Sequence, residues 1–167
     1  MKQTKLKTIA VVSACMMGML SSSAQGVMQR TANYHPDGRG FSCVNGNNRY
    51  TRALYGSVDE WRLETSDRPI FAIFKKNNHR NIRFVIKCNG QAFQLDSVEY
   101  CKARYEAGKR EYLMKDKRWG SGVLKLSVLA YPQTEGAVWK FAAENFGKAK
   151  IEIVGMICET RVSKFKR

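Results

Sequence analysis

Ile82-Arg83-Phe84-Val85-Ile86-Lys87-Cys88-Asn89-Gly90-Gln91-Ala92-Phe93-Gln94-Leu95 is the stretch whose reading decides the fold class. Ile82, Phe84 and Ile86 alternate with Arg83, Val85 and Lys87, the period of two that gives a strand two different faces. Asn89-Gly90 follows, a pair favoured in type I′ turns because both central residues need positive φ. Residues 92–95 continue extended. The stretch therefore predicts two antiparallel strands joined by a tight turn.

The pattern recurs outward in both directions. Residues 123–131 (VLKLSVLAY) place Leu124, Leu126, Val128 and Ala130 on one face. Over 136–143, Ala137, Trp139 and Phe141 alternate with Val138 and Lys140, and Ile151, Ile153 and Ile157 keep period two over 151–158. Upstream, 41–44, 50–55, 58–63 and 70–74 read as shorter strands, and Asn45-Gly46 is a second hairpin signal. In 97–114, Tyr100, Arg104, Tyr105 and Leu113 suit a helix, yet Glu106-Ala107-Gly108-Lys109 reads better as a turn between strands. Short strands at such regular spacing, separated by turn residues, predict an all-β fold, an antiparallel β-sandwich.

The beginning of the chain predicts export. Lys2, Lys5 and Lys7 precede residues 8–20 (TIAVVSACMMGML), an apolar run within the about 7–15 residues of a signal-peptide core. Ser22 and Ala24 place small residues before a cleavage point at Gln25, so residues 1–24 read as a signal peptide and 25–167 as one domain. Val12-Ser13-Ala14-Cys15 also has the shape of a lipoprotein box. Residues 16–20 stay apolar after the cysteine, which favours a soluble periplasmic or secreted protein over an anchor at Cys15. No second long apolar run predicts a transmembrane segment. Residues 159–167 continue extended without a turn or cap, which fits either a frayed basic tail or a sandwich truncated at its C-terminus.

Cleavage at that point leaves 143 residues with a net charge of +12, from +15 for the whole chain. The basic residues are scattered, and no cluster carries the aromatic pattern of an RNA-binding strand, so a solvated basic face is expected rather than nucleic acid. An acidic polysaccharide is the polyanion an exported protein would meet. Of the five cysteines, Cys43, Cys88, Cys101 and Cys158 survive cleavage. They allow three pairings, and disulfides and buried thiols both remain open. No C-x-x-C and no neighbouring histidine suggest a metal site, and no motif calls for a cofactor.

Catalytic groupings are scarce. His35 and His79 lie in polar loop contexts without a serine or cysteine nucleophile in a recognisable elbow. Glu64 with Asp67, and Asp116 with Glu144, are carboxylate pairs of the kind glycoside hydrolysis needs, but structural ion pairing is the expected role. Runs mixing arginine, acids and amides surround Arg49, Asp67 with Arg68, and Asp116 with Arg118, and such runs build charge-assisted networks. Trp61 and Trp119 flank these polar loops and are candidate platforms for a sugar ring, whereas Trp139 reads as core. Trp61, Trp119, Arg49, Asp67, Arg68, Asp116 and Arg118 are thus the candidate carbohydrate contacts.

Tyr34-His35-Pro36-Asp37-Gly38, residues 45–56 (NGNNRYTRALYG), 62–69 (RLETSDRP) and 116–120 (DKRWG) together resemble a domain family of unknown function found at the N-terminus of large exported proteins of Gram-negative polysaccharide degraders. The similarity spans roughly residues 33–166. It implies a β-supersandwich packed on a six-hairpin (α/α) toroid, with the catalytic carboxylates in the toroid. It therefore implies a non-catalytic accessory module of a glycoside hydrolase-like enzyme, with the six-hairpin domain and polysaccharide as partners. The positive charge supports the alternative, a stand-alone binding protein for acidic polysaccharide.

Overall fold

Alternating sequence builds twelve strands in a computed structural model that describes residues 33–47, 49–55, 61–75, 78–131 and 133–160. They are β1 (His35–Asp37), β2 (Gly40–Val44), β3 (Tyr50–Tyr55), β4 (Trp61–Ser66), β5 (Phe71–Lys75), β6 (Asn78–Cys88), β7 (Gln91–Gln94), β8 (Tyr100–Glu106), β9 (Lys109–Lys115), β10 (Val123–Ala130), β11 (Ala137–Glu144) and β12 (Ile151–Thr160). Short 3-10 turns at Leu95–Ser97 and Lys117–Trp119 complete them, and no α-helix occurs among the described residues. The expected signal peptide, Cys15 and residues 161–167 lie outside that set, as does part of the strand expected over 58–63.

Two sheets form, both antiparallel throughout. The first runs β1-β2-β8-β9-β10-β11; the second runs β12-β6-β5-β4-β3, with β7 also on β6. The expected β-sandwich is the observed fold. Its core draws Leu54, Leu63, Phe71, Ile82, Phe84 and Ile86 from the second sheet, and Ala103, Tyr112, Met114, Leu124, Leu126 and Val128 from the first. Phe71 sits at the centre, edge-on to Phe84 at 6.0 Å, Tyr112 at 5.8 Å and Trp139 at 5.8 Å. Each buried Leu, Ile or Phe removes apolar surface worth about 1.5–3 kcal/mol from water, which is what holds the two sheets face to face.

The two hairpin signals have different outcomes. Asn89 and Gly90 have φ of 49° and 78° and join β6 to β7 with Cys88 opposite Gln91, as the sequence predicts. Asn45-Gly46 is not a hairpin: β2 pairs with β1 and β8, β3 pairs with β4, and the dipeptide carries the chain from one sheet to the other. The Asn45 side chain accepts the Cys101 N–H at 2.9 Å, and the Asn45 N–H reaches the Cys101 carbonyl at 2.8 Å. Gly46 serves close approach, since a Cβ there would stand 2.3 Å from the Asp67 Cβ. Residues 97–114 resolve as the turn reading expected, with β8 and β9 joined so that Glu106 faces Lys109.

Candidate functional site

The polar runs that the sequence marks as candidate contacts fasten loops. At the end of β4, Arg68 donates Nε to the Gly46 carbonyl (3.0 Å) and Nη1 to the carbonyls of Asp96 (3.0 Å) and Val98 (2.7 Å). Asp67 is buried; it accepts the Tyr34 hydroxyl at 2.8 Å, and its N–H reaches the Arg49 carbonyl at 3.0 Å. The Arg49 side chain is exposed beside it. From the first sheet, Arg110 and Tyr112 both donate to the Ser66 carbonyl at 2.8 Å, and Arg110 also donates to the Tyr34 hydroxyl. Arg110 is 0% exposed, and its Nη1 is buried without an acceptor.

A second fastener closes the loop after β9. Asp116 accepts the backbone N–H groups of Arg118 (2.9 Å) and Glu99 (3.0 Å), and two guanidinium nitrogens of Arg118 at 2.6 Å. Burial alone would raise its pKa; the hydrogen bonds from Arg118 and Glu99 outweigh burial and hold the carboxyl down at about 2. Arg118 stacks 3.4 Å above the Phe93 ring. Trp119, expected as a sugar platform, is instead interior at 3% exposure, between Phe93 and Phe146, with Nε1 donating to the Gly122 carbonyl at 3.0 Å. The apolar loop contacts that the sequence pattern did not show pull it inward.

The carboxylates paired in sequence do not converge. Glu64 accepts from Arg62 at 3.0 Å and Glu144 from Lys125 at 2.7 Å, each an ion pair on a sheet face. The four cysteines are free thiols, Cys43, Cys88 and Cys101 buried and Cys158 exposed. Burial pushes the Cys101 thiol up to about 12, so it is not a nucleophile at neutral pH. Among the described residues no group of three His, Cys, Asp or Glu side chains could hold a metal, and no helix is long and apolar enough to cross a membrane.

An opening of small-ligand size lies between the sheets, beside β11. A cavity of about 610 Å³ is walled by Trp61, Trp139, Ile73 and Ile82, with Lys75, Arg80, Glu135 and Ile157 around it. That volume is within the about 300–1,000 Å³ of small-ligand sites. Trp61, a predicted contact, is 4% exposed and forms a wall. Trp139, expected as core, is only partly buried and forms the opposing side. Its Nε1 is buried with no hydrogen-bond acceptor.

Register explains the polar groups. Lys75 lies opposite Trp61 and Arg80 opposite Ile73, so both cations stand on the inward face of the second sheet. A charged side chain on an inward face requires water or a counter-ion. Lys75 has Glu135 at 2.6 Å, from the β10–β11 connection. Lys75, Arg80, Glu135 and Trp139 were missed by loop-based reading, although the first two fall in phase with Phe71-Ile73 and Ile82-Phe84. That phase was the available signal. A smaller depression of about 230 Å³ on the outer face of the first sheet has Leu113 between Lys102 and Lys125. Its cations are taken up by Asp37 and Glu144.

No curated protein and no solved structure matches the chain. A family model does: the domain of unknown function DUF4450 matches residues 78–167, more than half of the sequence and the part from β6 onward. On that match the chain belongs to the DUF4450 family.

Proposed function

We propose that this domain is a non-catalytic glycan-binding module, exported and serving as an accessory part of a carbohydrate-active enzyme. The observation that supports it most is the cavity walled by Trp61 and Trp139 and ringed by Lys75, Arg80 and Glu135. A sugar ring has an apolar C–H face that packs on an indole, and hydroxyls that both donate and accept. The surroundings supply both kinds of partner, cations as donors and a carboxylate as acceptor. Export rests on the charged, apolar and small-residue order of residues 1–24, and the enzyme context on the resemblance carried by the loop motifs.

Binding of neutral and uronate-containing oligosaccharides by calorimetry tests this reading. At least one should bind, and Trp139→Ala and Arg80→Ala should each weaken it tenfold or more while the β-type circular dichroism is retained. Absence of binding across the panel, or binding indifferent to both substitutions, would overturn it. The net charge of +12 on residues 25–167 favours acidic glycans within the panel. Their affinity should then fall steeply as salt rises, whereas neutral sugars should show no such dependence.

A further inference from the structure

An edge strand presents unpaired N–H and C=O groups, and a long edge that is mostly apolar is a site of association. β12 is such an edge. It is ten residues long, pairs with β6 from Ile151 to Thr160, and among the described residues has no strand on its other side. The other end of that sheet is managed differently, since β3 carries Arg52 and a register shift between Tyr50 and Arg52. Between Ile151 and Glu159 the only charges on β12 are Glu152 and Glu159.

Exposure along β12 does not follow its faces. Ile157 lies opposite Ile82 and so points the way the core residues point, yet Ile157 is 66% exposed while Ile82 is buried. On the outer face Val154 is 41% exposed. The apolar row therefore continues past the last strand of the sheet with nothing beside it among the described residues.

The strand itself indicates what fits there. Its sequence is symmetric in character about Gly155. In an antiparallel two-fold pairing centred on that residue, Val154 meets Met156 of the second copy, Ile153 meets Ile157, Glu152 meets Cys158 and Ile151 meets Glu159. Apolar side chains face one another at the centre, and no carboxylate opposes another. We propose that β12 is the seam of a homodimer in which two copies pair their β12 strands antiparallel about Gly155, joining their second sheets into one. Such a contact is isologous and closes on itself. It covers Ile157 with Ile153 of the second copy. Because each chain is strongly cationic, the dimer should tighten as salt screens the repulsion.

Sedimentation of the full chain at low and high salt tests the seam. The expected result is a dimer favoured by salt, converted to monomer by Val154→Lys with Met156→Lys, which sets lysines against one another across the seam while the β-type circular dichroism is retained. Glu152→Cys should also give a reducible dimer with oxidised glutathione as the two-electron acceptor, through Cys158 of the second copy, and should lose it when Cys158→Ser is added. A wild-type monomer at all concentrations, a dimer that survives the double lysine variant, or crosslinking indifferent to Cys158 would each overturn the proposal.

Discussion

The turn after β4 and the gap beside β11 and β12 are opposite solutions to the meeting of two sheets. At the turn, Arg110 and Tyr112 on β9 reach the Ser66 carbonyl across the sandwich, and Tyr34 and Arg68 tie the flanking loops to the same place. Almost every polar atom there is used within the protein. At the gap, Trp139, Phe141 and Ile153 are only partly buried, Ile157 is largely exposed, and Lys75 and Arg80 face inward. Hydrogen bonds made within the protein leave little for a ligand at the turn, whereas the half-covered Trp139 indole lies beside charged groups at the gap. The buried polar turn is therefore the fastener, and the more open region is where binding is proposed.

The largest effect should come from the fastener. Arg110→Ala removes two charge-assisted hydrogen bonds across the sandwich, to the Ser66 carbonyl and the Tyr34 hydroxyl, each worth about 1.5–3 kcal/mol, and should cost about 3–5 kcal/mol in urea unfolding. A cost below about 1 kcal/mol would mean the network does not hold the sheets. Next, Ile82→Ala should cost about 2–5 kcal/mol, as for other buried aliphatic truncations.

Asp116 gives an intermediate effect with a pH signature. Its folded value of about 2 lies below the about 3.9 of an unfolded aspartate, so its contribution is fully present above pH 4 and disappears as pH falls toward 2. Asp116→Asn should cost about 2 kcal/mol at pH 7 and flatten the stability curve between pH 4 and 2. An unchanged acid limb would contradict the Asp116–Arg118 clamp. The smallest effect belongs to the gap: Ile157→Ala, although opposite Ile82, should change monomer stability by less than about 0.5 kcal/mol. Equal costs at 82 and 157 would erase the difference between the two regions.

Strand identity was legible because alternation is local: the rows containing Leu124-Leu126-Val128 and Ile82-Phe84-Ile86 are inward as read. Asn89-Gly90 was legible for the same reason. Asn45-Gly46 was not, because whether a turn closes a hairpin or crosses to another sheet depends on strands far away, here β8 and its Cys101. Of the two tryptophans that flank polar loops, Trp61 borders the cavity and Trp119 is interior; the polar neighbours of Trp119 in sequence hid the flanking rings of Phe93 and Phe146. Trp139 looked like core because its face is the core face. Nothing in the pattern says that β11 is the last strand of its sheet, so its partial exposure follows from strand order alone.

The three tryptophans provide the most direct test of where this domain binds. Their indole N–H signals can be followed by NMR while the oligosaccharides that bind are titrated in. Trp61 and Trp139 should shift together and saturate at one affinity, with Trp119 unmoved in its loop. Movement of Trp119 with Trp61 and Trp139 silent would contradict the account and place binding at the fastened corner instead.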